Sequence, residues 1–386
     1  MLKQKDQQIN TLKPRKQHNH HSFVSQKNLT NHFDSFNYSN NSSTKDNGYN
    51  KKKTSFLNTS FAENYSSYIN YFQVYSQLHQ DILAFSAEHE AYTKKTEVLF
   101  RRLINDIKRI ISKRHPKVEV RAYGSHESGL AMPWSDIDLV LVNKNTSTDN
   151  PFAGDDKHLM MNIETLLKEN KDVVKEIKFI KNATVPVIKL TSTEEFLNRK
   201  VDLTLREYTD NQHSGEHCVE LVKGYIKTYP VFKPLALVLK QLIYEAKMND
   251  TYQGGLSSYG ITLMVVAYLQ YKQFYNVSIN IQEPNLGILF IDLFNFYSSF
   301  RISNLEMKPL KNNEIPKEAT ITTKTNGVPA IVIIDPLDPT NNVAKSTYNV
   351  TYLENLLYFV YFSTFHKGES VLGNVFEAAK IYANLV

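Results

Sequence analysis

Apolar residues recur at helical spacing up to residue 114 and mostly alternate beyond it, so the first half of the chain combines helix and strand. Leu99, Leu103 and Ile107 fall on one helical face, which predicts a helix over Ala87–Arg114 that Pro116 ends. The later segments predict a helix over residues 156–171 and four strands, at Val118–Ala122, Ile137–Val142, Val185–Leu190 and Val201–Leu205.

Beyond about His213 the apolar pattern becomes helical. It predicts helices at Val219–Thr228, Pro234–Lys247 and Tyr259–Phe274, and a short hairpin near 320–335 that turns at Asn326-Gly327. A strand-rich part followed by a helix-rich part is an α+β arrangement of two lobes. We therefore divide the chain into a tail (1–62), a sheet-containing lobe with leading helices (63–213) and a mainly helical lobe (214–386).

The amino-terminal tail differs from the rest in composition and charge. Residues 1–62 are rich in Asn, Lys, Ser and Gln and show no sustained period, which predicts disorder. They hold ten Lys and Arg against three Asp, a net charge of +7, whereas the whole chain carries +6. A basic tail of this kind attracts RNA by releasing counterions.

Composition also indicates the cellular compartment in which the protein is expected. No apolar run approaches the roughly 20 residues that span a bilayer, so no membrane association is expected. Cys218 is the only cysteine, which excludes an internal disulfide and favours an intracellular, reducing compartment. The choice between nucleus and cytoplasm stays open.

Three acidic residues form the candidate catalytic set. Asp136 and Asp138 are two apart at the start of a predicted strand, so both carboxylates project from the same face. Asp202 lies in another alternating segment and joins them if the two strands are neighbours. Converging carboxylates repel one another unless cations neutralise them, and carboxylate oxygens favour Mg²⁺ or Mn²⁺. The set therefore predicts a site for two such ions.

A Gly-Ser turn precedes the first two acids. Gly124 lacks side-chain bulk, so the backbone N–H groups and the hydroxyl of Ser125 can approach the phosphates of a nucleoside triphosphate. Taken singly, a Gly-Ser turn is commonplace and an Asp-x-Asp pair is usually solvated. The spaced combination with Asp202 favours a metal-dependent nucleotidyltransferase.

Several ordered motifs carry a family resemblance over roughly residues 90–365. The segment AYGSHESGLAMPWSDIDLVLV resembles the signature of the DNA polymerase beta type nucleotidyltransferase superfamily, in its non-canonical poly(A) polymerase and terminal uridylyltransferase branch. Similar motifs follow in order: ATVPVIKL, VLKQLI, GGLSSYG, NLGILFIDLFNFY and DPLDPTNNVAKSTY. The resemblance implies a mixed-sheet palm domain followed by a mainly helical poly(A) polymerase-associated domain.

The resemblance also implies roles for single residues. Asp136 and Asp138 would bind both metal ions, Asp202 would complete the site and help to activate an RNA 3′ hydroxyl, and Ser125 would hold the triphosphate. Lys240 matches a lysine that contacts the triphosphate, although a lysine stripe on a helix is otherwise a solvated face. Tyr244 stands where the uridylyltransferase branch often has a second lysine, which leaves Lys247 as a substitute.

The remaining implied contacts concern the base and the ribose. Ser258 and Tyr259 resemble residues that meet the triphosphate and stack on the base, and Ser258 could also cap the helix that begins at Tyr259. Asn341 lies in the resembling nucleotide recognition motif and can donate and accept hydrogen bonds. The nearest equivalents of a ribose-binding Asn are Ser214 and Gly215, with Asn211 upstream.

These observations predict an enzyme that adds nucleotides from an NTP to an RNA 3′ end without a template. The recognition motif is closer to poly(A) polymerases, so AMP is favoured, with a terminal uridylyltransferase as the alternative. Two further alternatives are a non-catalytic scaffold subunit of an RNA-processing complex and an enzyme that modifies another acceptor. RNA choice would come from the basic tail or from an RNA-binding or RNA-processing partner protein.

Overall fold

The chain divides into two compact units. The computed structural model describes residues 53–143, 156–183, 185–205, 214–275, 285–312, 314–324, 330–364 and 370–385. In the first unit, Met1–Gln73, the described residues are the helical ones from Lys53 onward. The second unit, Val74–Val386, contains all the strands and all the predicted site residues.

A five-stranded sheet forms the centre of the first lobe. In space the strands follow the order β1-β2-β5-β4-β3. β2 and β5 are parallel and the other neighbours are antiparallel, so the predicted mixed sheet is confirmed. The strands are β1 (Val118–Tyr123), β2 (Ile137–Asn143), β3 (Val174–Ile180), β4 (Val187–Ser192) and β5 (Lys200–Leu205).

One face of this sheet packs against α1 (Lys53–Arg114) and α3 (Asp156–Glu169), while the short α2 (Gly124–Ser128) follows β1. The buried apolar core includes Leu103 and Ile107 of α1, Ile163 of α3, and Leu139, Ile188 and Leu203 of the sheet. α1 is one continuous helix, so the predicted disorder is wrong for residues 53–62. No Pro or Gly interrupts the chain between Lys53 and Ala87, which lets the helix extend upstream.

Six α-helices among the described residues build the second lobe. They are α4 (Ser214–Thr228), α5 (Phe232–Glu245), α6 (Ser258–Phe274), α7 (Leu286–Phe300), α8 (Val350–Ser363) and α9 (Val371–Leu385). Their core is distinct from that of the sheet, and Leu78 and Ile82 of α1 also belong to it. α1 therefore contributes Leu78 and Ile82 to the helical core and Leu103 and Ile107, further along the same helix, to the sheet core.

The structure has a small three-stranded sheet where the sequence predicted a hairpin, so that prediction is wrong. Its strands are β6 (Leu305–Met307), β7 (Ile321–Thr323) and β8 (Val332–Ile333), in the order β7-β6-β8. β7 and β8 do not pair with each other, because β6 lies between them and runs parallel to β8. The predicted turn at Asn326-Gly327 lies outside the described residues.

Of the helices that the structure describes, none combines the length and the apolarity needed to cross a bilayer. The predicted tail lies outside the described residues up to residue 52, as does Asn211.

Candidate active site

The three predicted carboxylates are brought together by the register of two strands. β2 and β5 pair in parallel with Asp138 directly opposite Asp202. Asp136 lies two residues before Asp138, so backbone alternation places it on the same face. The condition for Asp202 to join the other two acids, that the two strands are neighbours, is thus met, and adjacent strands lie only about 4.8 Å apart.

Burial and mutual repulsion act on these acids. Burial raises the pKa of Asp138 to about 7, with further contributions from Asp202 and Asp136. The pKa of Asp136 is raised as well, first by burial and then by Asp202. A carboxyl group that is hard to ionise in this way becomes a good cation ligand, because a bound cation removes the repulsion.

Lys189 supplies the positive charge next to Asp202. It lies opposite Asp202 on β4, and its Nζ is 2.5 Å from Asp202 Oδ2. Within the described residues, no three acidic, histidine or cysteine side chains are arranged to hold a metal ion as they stand. The ion pair uses Oδ2 of Asp202, so Oδ1 of the same carboxylate is the oxygen that faces no lysine in it. Sequence reasoning missed Lys189, although the alternation of ATVPVIKL marks it as a polar residue between apolar ones.

Gly124 allows the turn after β1 to lie against Asp138. Its φ of +74° is in the left-handed region that glycine adopts most easily. A Cβ at this position would lie 2.1 Å from Asp138 Oδ2, so any larger residue would displace the carboxylate. Ser125 follows in α2, half-buried, with its carbonyl accepting the amides of Gly129 and Leu130. The predicted Gly-Ser turn and the acids are therefore in direct contact.

Arg199 fixes the loop that leads into Asp136. Its buried guanidinium donates to the carbonyls of Pro133 and Ser135 at 2.6 and 2.9 Å, and also to the Tyr92 hydroxyl. This positioning residue was not predicted. Its position three residues before Asp202 is the one signal that the sequence offers.

Lys240 is buried, with 1% of its surface exposed. Its Nζ donates to the carbonyl of Leu130 at 2.5 Å, and burial lowers the pKa of the amine to about 8, opposed by the charge of Asp138. The apolar residues around it on α5, Leu235, Val238, Leu239 and Leu242, are all buried. The ammonium of Lys240 is thus held by the Leu130 carbonyl within reach of the charge of Asp138, and its contact with a triphosphate stays a prediction.

Trp134 and Tyr244 stack beside Lys240. Their rings are 4.3 Å apart and nearly parallel, and Trp134 Nε1 donates to Gln241 Oε1 at 3.1 Å. The position that carries a second lysine in the uridylyltransferase branch thus holds an aromatic contact here. This contact connects α5 to the loop before Asp136.

Lys247 does not continue the stripe of lysines on α5. The helix ends at Glu245, two residues earlier than predicted, and Lys247 has a left-handed φ of 56°. Its Nζ donates to Asn384 of α9 at 3.3 Å. A lysine beyond the helix end no longer follows Lys240 on the same face, which weakens the prediction that Lys247 replaces the second lysine.

The turn before α6 differs by one residue from the prediction. The cap is Ser257, whose hydroxyl accepts the Gly260 amide at 3.0 Å, and the helix begins at the exposed Ser258. Both serines could start the helix by composition, and the backbone geometry selects the first. Ser258 is then free of a capping role.

Tyr259 connects this turn to the recognition motif. Its hydroxyl donates to Asp335 Oδ1 at 2.9 Å, and burial raises its pKa together with Cys218 and Asp335. Asn341 Nδ2 donates to the other oxygen of Asp335 at 3.4 Å, while the Asp335 amide donates to the Asn341 carbonyl. The predicted stacking residue and the predicted base-selecting residue therefore share one buried carboxylate.

The predicted ribose contacts lie at the start of α4. The backbone of Ser214 begins this helix, but its side chain is outside the described part of the chain. Gly215 is half-buried in the first turn. The ribose contact stays a prediction.

Comparison with known proteins agrees with this geometry. Residues 78–223 match the family of the poly(A) RNA polymerase, mitochondrial-like, central palm domain. The expected resemblance is confirmed. The palm match includes the Gly-Ser turn, all three carboxylates and Lys189.

Curated relatives point the same way. The chain is 28% identical over 271 residues to poly(A) RNA polymerase cid14 of Schizosaccharomyces pombe, a match that covers 70% of this chain and 38% of that protein. It is 27% identical to poly(A) RNA polymerase protein 1 of Eremothecium gossypii, over 73% of this chain and 46% of that protein. The chain thus spans less than half the length of these relatives.

Solved structures share the fold. The polymerase core of TRAMP, described as an RNA surveillance complex, has a TM-score of 0.64 at 19% identity, covering 79% of this chain and 95% of that one. The Cid1 poly(U) polymerase bound to MgGTP has a TM-score of 0.57 at 20% identity, covering 76% and 98%. The two-lobed nucleotidyltransferase fold is therefore established for this chain.

Proposed function

We propose that this protein is a template-independent RNA 3′-terminal nucleotidyltransferase that transfers AMP from ATP and releases pyrophosphate. The observation that carries the proposal is the parallel register of β2 and β5, which sets Asp138 opposite Asp202. Gly124 then holds the Gly-Ser turn against Asp138. The named relatives are poly(A) RNA polymerases, which supports this activity.

The residues present fit two divalent ions, Mg²⁺ or Mn²⁺. Asp136, Asp138 and Asp202 offer oxygen ligands on one face of the sheet, and the pKa of Asp138 is raised first by burial and then by the charges of Asp202 and Asp136. Such ions, when bound, neutralise triphosphate charge and activate an attacking hydroxyl. Asp202 then holds the hydroxyl in line, the turn at Ser125 holds the phosphates, and Tyr259 stacks on the base.

Nucleotide choice is assigned to the loop around Asn341. Because Asp335 accepts from both Tyr259 and Asn341, it sets the Asn341 side chain relative to the stacked base. An Asn can present a donor and an acceptor to adenine. We therefore propose ATP as the preferred substrate, with UTP as the alternative.

A partner protein that presents RNA is part of this proposal. The solved relative from TRAMP belongs to an RNA surveillance complex, and the basic tail of this chain offers a second source of RNA affinity. We place the protein inside the cell, because its single cysteine offers no disulfide.

A scaffold without activity is the second candidate. One relative, 29% identical over 61% of this chain and 55% of its own length, is named the inactive non-canonical poly(A) RNA polymerase protein Trf4-2 of Drosophila melanogaster. Similarity alone therefore does not distinguish an enzyme from an inactive relative. The retained carboxylates, Gly124 and Ser125 favour the enzyme.

The test is RNA extension by the purified full chain. A labelled RNA oligomer is incubated with Mg²⁺ or Mn²⁺ and each NTP separately. Elongation is expected with ATP above all, and longest products with UTP would reverse the proposed preference. The Asp136→Ala/Asp138→Ala variant should be inactive because it lacks two metal ligands. Absence of extension with any NTP and either metal, also with a candidate partner, would exclude the enzyme in favour of the scaffold.

A further inference from the structure

Residues 130–135, which we call the Asp136 loop, connect the region of the Gly-Ser turn to the first carboxylate. Leu130 and Met132 of this loop are each 2% exposed and belong to the core of the helical lobe, and Trp134 packs against the same core. Asp136 follows directly, and β2 of the five-stranded sheet begins at the next residue. The first carboxylate therefore lies where a loop anchored in one lobe enters the other lobe.

Basic side chains hold the backbone carbonyls of the Asp136 loop. Lys240 donates to the first of these carbonyls, and Arg199 donates to two carbonyls near the other end. His89 of α1 holds the Ala131 carbonyl between them, with 2.5 Å between Nε2 and the oxygen. Because a carbonyl oxygen can only accept, Nε2 carries the hydrogen of this bond.

The surroundings of His89 favour a role in holding the loop over a role in the core. The side chain is 5% exposed, and burial lowers its pKa, opposed by the hydrogen bond to Ala131. Its Nδ1 is buried and has no hydrogen-bond partner among the described residues. An unpaired buried nitrogen costs stability. A core position would therefore be filled better by an apolar residue, whereas the bond to the loop needs the donor at Nε2.

One turn of α1 holds the Asp136 loop at two places. Tyr92 lies three residues after His89, on the same side of the helix. Its hydroxyl accepts from Arg199, the side chain that donates to the carbonyls near the end of the loop. α1 also packs into both cores, before and after this turn. The helix thus holds the start of the loop directly through His89 and the end through Arg199.

We propose that His89 is a positioning residue for Asp136. Its bond to Ala131 keeps the loop ordered before a divalent ion arrives, so that binding of the ion does not have to order the first carboxylate. Side chains that orient a metal ligand without contacting the metal typically change metal affinity by about 10- to 100-fold. The inference rests on the proposed function, because Asp136 is a metal ligand in that function.

Binding of Mn²⁺ to the full chain tests this role without NTP, RNA or catalysis. Free Mn²⁺ is measured by electron paramagnetic resonance, and His89→Ala should weaken the affinity about 10-fold. His89→Gln should bind nearly as tightly as the wild type, because the glutamine amide nitrogen can occupy the position of Nε2. His89→Asn places its amide nitrogen near the position of Nδ1 and should behave like His89→Ala. Unchanged affinity in His89→Ala, or equal losses in the Gln and Asn variants, would overturn the assignment.

His79 provides a matched control on the same helix. It also holds a backbone group, since its Nδ1 accepts the amide of Leu286 at the start of α7. His79→Ala should lower the melting temperature, as His89→Ala does, but it should leave the Mn²⁺ affinity unchanged. Equal losses of Mn²⁺ affinity in His79→Ala and His89→Ala would assign the effect to general destabilisation and contradict the positioning role.

Hydrogen exchange reports directly on the loop in the metal-free protein. The amides of Met132 and Ser135 are hydrogen-bonded within the loop, so their exchange rates show whether it is ordered. His89→Ala should accelerate exchange in the peptide that covers residues 130–136, and His89→Gln should restore the slow exchange. The same exchange rate in the wild type and in His89→Ala would contradict the proposal.

The failure of this inference is distinguishable from the failure of the proposed function. If Mn²⁺ affinity depends on His89 as described but no NTP is ever incorporated, the enzymatic function fails and the positioning role stands. If RNA is extended and the wild type and His89→Ala require the same Mn²⁺ concentration, the function stands and the positioning role fails. A wild type that binds no Mn²⁺ would overturn both.

Discussion

The two faces of the five-stranded sheet carry opposite chemistry on the same strands. On β5, Val201 and Leu203 are fully buried against α1 and α3, whereas Asp202 between them belongs to the other face. On β4, Ile188 and Leu190 are buried and Lys189 is paired with Asp202. Alternation thus lets one strand serve stability and chemistry at once. Substitutions on one face should therefore change one property and spare the other.

The largest effect is expected from Asp202→Asn on the charged face. It removes the ligand and proton acceptor next to the RNA 3′ hydroxyl, and the extension rate should fall about 1000-fold. The free energy of unfolding should change by less than about 1 kcal/mol, because the lost ion pair with Lys189 is partly exposed. Extension assays and urea unfolding measure the two quantities, with the exposed Asp172→Asn as the control. A variant that extends RNA normally would remove Asp202 from the mechanism.

On the apolar face, Leu190→Ala should have the reverse effect. The side chain is 3% exposed in the sheet core, and the cavity left behind should cost about 3 kcal/mol of the free energy of unfolding. Extension per folded molecule, measured well below the melting temperature, should stay within about threefold of the wild type, since no site residue is removed. Loss of activity without loss of stability would show that the faces are coupled.

A smaller effect is expected from Gly124→Ala. Its comparison with Gly129→Ala separates backbone strain from contact with Asp138. Gly124→Ala should lower the extension rate about 100-fold, because the new Cβ displaces the Asp138 carboxylate by about an ångström or more. Gly129 is the matched control: its φ is +81°, but a Cβ there meets nothing within 4 Å. Gly129→Ala should share only the cost of a left-handed residue, about 1 kcal/mol in thermal unfolding. Equal losses of activity in both variants would assign the effect to strain alone.

The smallest effect concerns the burial of Asp138 and its repulsion by the neighbouring acids. The pKa of Asp138 is raised from 3.8 to about 7 in the folded protein, so the folded state holds a proton that the unfolded state has lost. In EDTA the stability should therefore fall as pH rises from about 4 to about 7. Asp138→Asn should flatten this part of the profile and stabilise the protein by about 1 kcal/mol at pH 7, since it removes a buried charge. Identical melting profiles of both proteins against pH would contradict the raised pKa.

The alternation of apolar and polar residues was sufficient to predict the strands that carry the acids. Alternation around Asp138 and Asp202 predicts two strands, whereas the pairing that brings the two acids together is seen only in the parallel register of β2 and β5. β3 escaped prediction because Lys175, Glu176 and Lys178 interrupt its alternation. Its position is set by antiparallel pairing with β4, the strand that follows it in the chain.

The misplaced details have physical causes of the same kind. The order β7-β6-β8 depends on which strand inserts between two others, and local turn chemistry cannot report this. The burial of Lys240 depends on the loop that contains Leu130, which is 110 residues away in sequence. Whether Ser257 or Ser258 caps α6 depends on the backbone of a single residue.

The stack of Trp134 on Tyr244 gives the protein an intrinsic fluorescence probe. Trp134 is the only tryptophan in the chain, and it lies two residues before Asp136. Its fluorescence therefore reports on one contact, between the loop that leads to the first carboxylate and helix α5. A change of emission on adding ATP or a divalent ion, followed by stopped-flow fluorescence, would reveal movement at that contact without any label.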